Sequence, residues 1–185
     1  MVALEAKPVA PAYTITARTL HWITAALVLV QIPLGLVIAN LKPGPPWGDA
    51  LYNTHKSIGA ILIPIVLFRL FYRLAHKPAP LPPDVPELQR LAAHGLHWLL
   101  YLLLVMQGLI GWIATSAYPA PIPVFGLFEL PPIWPENRAL SDQLFVAHRA
   151  IGILLAFLLV GHIGAALFHH FVRRDRVLMR MVSGG

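Results

Sequence analysis

The fold of this chain is decided by residues 143–171, which read QLFVAHRAIGILLAFLLVGHIGAALFHHF. A helix needs roughly 20 apolar residues to cross a hydrocarbon core of about 30 Å, and this run is longer than that. Three earlier runs resemble it in length and hydropathy. We therefore predict an all-α, integral membrane four-helix bundle with the spans Arg18–Asn40, Tyr52–Leu74, Leu91–Ala117 and Gln143–Phe171.

The composition supports this fold class, because 57% of the 185 residues are hydrophobic and only 12% are charged. A soluble domain of this size could not bury so much apolar surface in one core. We predict an N-terminal segment (residues 1–17), the membrane bundle (residues 18–171) and a basic tail (residues 172–185). The first apolar run contains His21, a candidate ligand, so we interpret it as a retained helix rather than a cleaved leader.

Lysine and arginine are concentrated at one end of the predicted bundle, which indicates that both termini lie in the cytoplasm. Because these cations are scattered over helix ends without an interleaved aromatic platform, the basic charge does not indicate nucleic-acid binding. The cations assigned to the cytoplasmic side are Lys7, Arg18, Arg69, Arg73, Lys77, Arg90, Arg173, Arg174, Arg176 and Arg180, against Lys42, Lys56, Arg138 and Arg149 outside.

The three predicted connections differ in character. The first, Leu41–Leu51, is rich in proline and glycine and predicts an irregular outer turn. The second, Pro78–Pro86, has five prolines in nine residues and predicts a stiff cytoplasmic connection. The third, Ser116–Asp142, is long and apolar, so we expect it to lie on the bundle or to enter the headgroup region.

Cysteine is absent, which excludes disulfides, thiolate metal sites, iron–sulfur clusters and covalently attached haem. The chain has nine histidines. A histidine within a membrane span is unfavourable unless it has a partner, so its presence there predicts a functional site.

Two octapeptides nearly repeat each other, HKSIGAIL at residues 55–62 and HRAIGILL at residues 148–155. Each begins with a histidine at the start of an apolar run, followed by a cation and, one helical turn after the histidine, a glycine. The glycines, Gly59 and Gly152, would leave a flat space on the same helix face. This pattern predicts that His55 and His148 are the two axial ligands of one haem.

A second haem is indicated by His162, fourteen residues beyond His148. Fourteen residues rise about 21 Å and return to within about 40° of the same helix face. The same interval separates His21 from Gly35, His55 from Arg69 and His97 from Gly111. These intervals predict two cofactor layers at different depths.

Depth also predicts the pairing of ligands. His55 and His148 lie at outer helix ends, so they share the outer haem, whereas His162 needs an inner partner. We favour His21, with His97 and His94 on the third helix as alternatives that otherwise pack or line a quinone pocket. The remaining histidines, His76, His169 and His170, are interpreted as water-facing or interfacial.

Three cations lie near the predicted haems. Arg69 either extends to the membrane surface or binds an inner haem propionate in a bidentate manner. Lys56 and Arg149 directly follow the outer ligands, where they neutralise outer propionates or attract an anion. We include all three among the candidate cofactor-binding residues.

Taken together, these residues resemble bacterial cytochrome b561. The resemblance rests on residues 19–22 (TLHW), 53–59 (NTHKSIG), 94–97 (HGLH), His148 to His162, residues 165–170 (AALFHH) and the tail RDRVLMRM at residues 174–181. It covers the chain after about the first dozen residues. The order and spacing of the histidines and the number of helices agree together.

The resemblance implies a multi-pass protein of the bacterial inner membrane in which four histidines, corresponding to His21, His55, His148 and His162, bind two b-type haems. It also implies electron transfer with ubiquinone as a partner, and some members are described as superoxide oxidases. We therefore expect a superoxide:ubiquinone oxidoreductase, with superoxide or another one-electron donor at the outer face. A relay subunit for a partner redox enzyme and a non-redox membrane protein are the alternatives.

Overall fold

The structure is a computed structural model that describes residues 13–41, 47–78, 80 and 85–184. Most of the predicted N-terminal segment, Lys42 and the rest of the proline- and glycine-rich turn at residues 42–46, and residues 79 and 81–84 of the proline-rich connection lie outside the described residues. The predicted all-α four-helix bundle is confirmed. The helices are α1 (Ile15–Ile38), α2 (Gly48–Ala75), α3 (Glu87–Ala117) and α4 (Arg138–Phe168), followed by a π-helical turn (His169–Arg173) and the short α5 (Met179–Val182).

The four long helices are all long and apolar enough to cross a membrane. Helices α1 and α4 begin earlier than predicted because polar residues cap them. The side chain of Thr14 accepts a hydrogen bond from Ala17 N at 3.2 Å, and Asn137 Oδ1 accepts one from Leu140 N at 3.0 Å. Such caps satisfy N–H groups that the first helical turn leaves unpaired.

The helices pack mainly as two pairs, α1 with α2 and α3 with α4, and α2 joins the pairs by packing on α3. The buried core contains Val28, Ile58, Leu62, Val66 and Tyr101. Large apolar side chains point outward over most of the bundle surface, as expected for a protein whose solvent is lipid. The end of the bundle at which α2 and α4 start is called the outer end, and the opposite end is called the inner end, after the predicted orientation.

The third connection forms a small hairpin that lies on the outer end of α2. Strands β1 (Ile122–Val124) and β2 (Phe128–Leu130) pair antiparallel. Buried Ser57 holds the hairpin, because its Oγ lies 2.8 Å from Pro123 O and accepts the N–H of Phe125 at 2.9 Å. The prediction that this connection lies on the bundle agrees with its position, whereas entry into the headgroup region stays a prediction.

The C-terminal residues 174–184, which we name the C-terminal strap, fold back over the inner end. Trp22 Nε1 donates to Met181 O at 3.0 Å, and Arg18 donates to Val182 O at 3.1 Å. Arg180 is only 1% exposed and donates to Pro80 O at 3.0 Å. The tail is thus packed against the start of α1 and the second connection.

The strap is anchored by His169, which corrects the expectation that this histidine faces water. Its side chain is 14% exposed, and its Nδ1 lies 2.5 Å from Asp175 Oδ2. Burial acts to raise the pKa of Asp175, but the hydrogen bonds from His169 and from the N–H of Val177 hold that pKa below its ordinary value.

Candidate functional site

The outer end of the bundle brings His55 of α2 and His148 of α4 together. Their ring centroids are 6.1 Å apart. An imidazole nitrogen binds a transition metal at about 2.1 Å, so a metal between two rings holds their centroids roughly 6 Å apart. Both Nδ1 atoms are buried and have no hydrogen-bond partner within the part of the chain that the structure describes. The spacing fits two histidines that bind one metal centre between them.

The glycines next to these rings are not the two that the sequence repeats indicated. A Cβ built on Gly35 of α1 would lie 2.9 Å from Cε1 of His55, and one on Gly111 of α3 would lie 3.1 Å from Cε1 of His148. Gly59 and Gly152 instead face the side-chain amides of two glutamines. The space beside the rings therefore comes from the neighbouring helix in each pair, rather than from the helix that carries the histidine.

The inner end brings together three histidines from three helices. The ring of His162 lies 6.3 Å from that of His21 and 5.4 Å from that of His97. The structure thus places both candidate partners of His162 within reach. The distance between the rings of His21 and His162 is close to the roughly 6 Å of two rings with a metal between them. The ring of His97 lies closer to that of His162. No cluster of three or more His, Cys, Asp or Glu side chains suited to a metal ion occurs among the described residues.

Arg69 points into the inner end of the bundle. Its Nη2 donates to His21 Nδ1 at 2.7 Å, and its guanidinium lies 5.2 Å from the centroid of the Tyr101 ring. Since a guanidinium can only donate hydrogen bonds, Nδ1 of His21 accepts in this arrangement and the proton of the neutral ring lies on Nε2. This contact places Arg69 beside a candidate inner ligand, and its predicted bond to a haem propionate stays a prediction.

The two outer cations have partners at the surface of the bundle. Lys56 Nζ donates to Pro121 O at 2.7 Å, beside the hairpin. The exposed Arg149 lies 3.5 Å from Asn40 Oδ1. In this geometry both cations are anchored to polar groups of neighbouring segments.

A cavity of about 660 Å³ opens at the inner end, where α2 ends and α3 begins. His97, one of the three histidines of the inner group, belongs to its wall. His94 lies there too, where its Nε2 accepts a hydrogen bond from Trp98 Nε1 at 3.0 Å. The cations that line it are Arg73, Lys77 and Arg90. The sequence analysis assigned these cations only to membrane orientation. The sequence signal for the cavity was the presence of three cations on the segments that flank His94 and His97.

Comparison with known proteins gives the family of this four-helix membrane chain. The family model for prokaryotic cytochrome b561 matches residues 12–184. The chain belongs to this family. Its membership confirms the resemblance seen in the sequence. As a member of this family, the chain is a bacterial membrane protein that transfers electrons. The family is oxidoreductase-like, and b-type haem is its implied cofactor.

Individual relatives align over most of their length. Cytochrome b561 homolog 2 of Escherichia coli K12 is 34% identical over 172 residues, which cover 92% of this chain and 91% of the relative. Cytochrome b561 homolog 1 of the same organism is 29% identical, with 88% and 92% covered. The probable superoxide oxidase CybB of Yersinia pestis is 28% identical, with 88% and 91% covered.

Proposed function

We propose that this family member is a dihaem cytochrome b that oxidises superoxide at the outer face and reduces ubiquinone at the inner end. The observation that carries the proposal is the pair of histidine contacts at two depths. His148 and His162 of α4 lie 6.1 Å and 6.3 Å from the rings of His55 and His21. One helix therefore contributes a histidine to each layer, about 21 Å apart along its axis.

In this proposal His55 and His148 hold the outer haem, and His21 and His162 hold the inner one. A b-type haem supplies one-electron chemistry when it is bound, and its axial ligands tune its potential. A haem held by two of these histidines would supply electron transfer without binding substrate at its metal. The protein contributes the ligands, burial, placement and charge.

Arg69 fits a propionate-binding role at the inner site. Ligation through Nε2 of His21 requires the ring proton to lie on Nδ1, because a protonated nitrogen has no lone pair for a metal. Arg69 then loses its acceptor at Nδ1 and needs another. A propionate carboxylate is the bidentate partner that a guanidinium prefers, so we assign Arg69 to an inner propionate.

Superoxide is favoured as the donor by a relative and by charge. The relative from Yersinia pestis is named a probable superoxide oxidase. At the outer end of this chain, Lys56 and Arg149 each directly follow a proposed ligand, and an anionic donor is attracted by such local cations. In the reaction, each superoxide loses one electron and leaves as dioxygen.

Ubiquinone fits the cavity at the inner end. Its walls combine apolar side chains with His94, Trp98 and Arg73, and they reach His97 beside the proposed inner ligands. Apolar pockets with a few polar groups are typical of small-molecule sites. Two electrons from two superoxide ions, with two protons taken up at the inner end, convert ubiquinone to ubiquinol.

The proposal places the chain in the bacterial inner membrane with both termini in the cytoplasm, so residues 1–17 and the basic tail, residues 172–185, lie on the inner side of the bundle of residues 18–171. The proline-rich second connection then lies on the same side. A fusion of alkaline phosphatase to residues of the hairpin, compared with one at the C-terminus, measures this orientation. Activity is expected only for the hairpin fusion.

An electron-relay subunit is the second candidate. The tip of the hairpin favours it, because Phe125, Leu127 and Phe128 are exposed and Leu127 is 82% exposed. Such a tip is able to contact a partner redox protein. In that case the donor is a protein, and superoxide is a poor substrate.

Stopped-flow mixing distinguishes these candidates. Oxidised protein is mixed with superoxide, with and without a short-chain ubiquinone. We expect rapid reduction of the b-type absorbance, followed by reoxidation only when the quinone is present. Slow reduction by superoxide together with rapid reoxidation by the quinone contradicts the superoxide assignment and favours the relay subunit.

A further inference from the structure

We propose that Gln31 and Gln107 are positioning residues that clamp the two outer histidines, in two copies of one arrangement. The inference rests on the proposed assignment of His55 and His148 as ligands of the outer haem. Each glutamine comes from the helix that pairs with the histidine's helix. Neither glutamine was singled out by the sequence analysis.

The first copy lies between α1 and α2. Gln31 Nε2 donates to the backbone carbonyl of His55 at 2.9 Å. One turn further along α1, Gly35 has its Cα against the His55 ring, since a Cβ there would lie 2.9 Å from Cε1. One turn beyond His55, Gly59 leaves room for the glutamine amide, because a Cβ there would lie 3.3 Å from Gln31 Nε2. The α1 helix therefore holds His55 by its backbone and by its ring.

The second copy lies between α3 and α4 and repeats the two glycine contacts. A Cβ on Gly111 would lie 3.1 Å from Cε1 of His148, and one on Gly152 would lie 3.1 Å from Nε2 of Gln107. In each copy, one helix carries a glutamine and a glycine four residues later. The helix that faces it carries a histidine and a glycine four residues later. It occurs in both helix pairs at the outer end.

The two copies also share their unpaired atoms. Oε1 of Gln31 and of Gln107 is buried without a hydrogen-bond partner among the described residues, as is Nδ1 of each histidine. The backbone of the opposing glutamine lies near the side chain of each histidine, although neither Nδ1 has a hydrogen bond to it. Burying an unpaired amide oxygen is unfavourable, so a glutamine at both positions requires a compensating role.

That role is to orient the ligand. A ligating histidine is usually held by a hydrogen bond from its other ring nitrogen, which fixes the tautomer and the ring plane. The backbone carbonyls of Gln31 and Gln107 are placed to accept from Nδ1 once Nε2 binds metal. The side-chain amide of Gln31 fixes the distance between this carbonyl and the histidine backbone. Gln107 lies against Gly152 in the same way and is assigned the same action on His148.

The inner histidines have a different environment. The contact to His21 comes from the side chain of Arg69 rather than from a glutamine amide. The clamp therefore acts on the outer haem alone, and its loss changes one haem of two.

The test uses the variants Gln31→Met and Gln107→Met, which keep side-chain length and remove the amide. Gln143→Met, an exposed position on α4, is the matched control. The readouts are the low-spin electron paramagnetic resonance g values of each haem and carbon monoxide binding to the reduced protein. We expect both clamp variants to shift the g values of the outer haem and to bind up to one carbon monoxide per protein. The wild type and the control are expected to bind none.

A second test leaves both glutamines unchanged and substitutes the glycines that face their amides. Gly59→Ala and Gly152→Ala place a methyl group against Gln31 and Gln107, so they are expected to shift the same signal. Unchanged g values in all four variants, or a shift confined to the inner haem, overturn the proposal. If His55→Ala and His148→Ala remove different haems, the proposed ligand pairing fails instead, and the two failures are thereby distinguished.

Discussion

At the scale of single residues, depth along the helices predicts which histidines meet at the outer end, but it does not predict which of them meet at the inner end. His55 and His148 were predicted to meet because both begin outer helix ends, and their rings lie 6.1 Å apart. At the inner end, His21 and His97 lie at similar depth, and their approach to His162 depends on how the helices are rotated and packed. Sequence periodicity does not supply that rotation, so the choice between them stays a prediction.

Single substitutions of the ligands test the pairing. Because His55 and His148 face each other, His55→Ala and His148→Ala are each expected to lower the haem-to-protein ratio from two to one and to remove the same haem. His21→Ala and His162→Ala are expected to remove the other haem, whereas His97→Ala retains both. Pyridine haemochrome assays and redox titration measure this. Two haems in His21→Ala, with one in His97→Ala, would falsify the inner assignment.

The close contact of Gly35 and Gly111 with the outer rings gives a second test at this scale. Gly35→Ala and Gly111→Ala are expected to displace those rings and to destabilise the holoprotein by about 1–3 kcal/mol, the usual cost of overpacking. Thermal unfolding of the purified protein, followed by haem absorbance, measures the effect.

The controls for this test are Gly161→Ala and Gly164→Ala on α4, where an added Cβ meets nothing within 4 Å among the described residues. Alanine favours a helix over glycine by about 1 kcal/mol, so these variants are expected to be neutral or stabilised. Equal losses at all four positions contradict the ring contact.

At the scale of elements, hydropathy predicted the four helices but could not predict what covers their ends. The third connection was expected on the bundle because it is apolar, yet its attachment through Ser57 depends on one buried hydroxyl inside α2. The tail was predicted only as a basic segment. Its packing depends on contacts between residues far apart in sequence, such as Arg180 with Pro80 and Trp22 with Met181, and single-sequence patterns do not contain such contacts.

The C-terminal strap gives an element-scale prediction. The pKa of Asp175 is lowered in the folded chain, so its stabilisation is fully present above the unfolded pKa of about 3.9. It is lost as pH falls through the lower folded value. Asp175→Asn removes the charged acceptor of His169 at all pH values, and hydrogen bonds to charged groups contribute about 1.5–3 kcal/mol.

Limited proteolysis of the strap in detergent measures this loss. We expect Asp175→Asn to be cleaved at least about tenfold faster than wild type near neutral pH, which corresponds to about 1.4 kcal/mol. Asp142→Asn, at an exposed position on α4, is the control and is expected to be cleaved at the wild-type rate. Equal cleavage of all three proteins contradicts anchoring by Asp175.

At the scale of the whole molecule, charge governs how a small anion reaches the outer end. The double variant Lys56→Gln/Arg149→Gln is expected to slow haem reduction by superoxide several-fold and to flatten its dependence on salt. Exposed charges act over about 8 Å at physiological ionic strength, so only cations near the haem contribute. Stopped-flow rates at several salt concentrations measure this, and the reduced spectrum is expected to stay unchanged.

Arg138→Gln is the matched control, because this cation lies at the same end but 3.6 Å from Glu136. A wild-type rate and salt slope in the double variant count against superoxide entry at this face. A shifted outer potential with an unchanged salt slope assigns Lys56 and Arg149 to propionate neutralisation instead.

The placement of His148 and His162 on one continuous helix has a consequence for operation in different membranes. Bilayers differ in thickness, and tilting is one way in which a transmembrane helix adapts to this difference. Tilting α4 turns both ligands together and leaves the separation of about 21 Å between them unchanged. In the proposed dihaem arrangement the spacing of the two α4 ligands is thus set by the covalent chain, and we expect the rate of electron transfer between the haems to be the same in thin and thick bilayers.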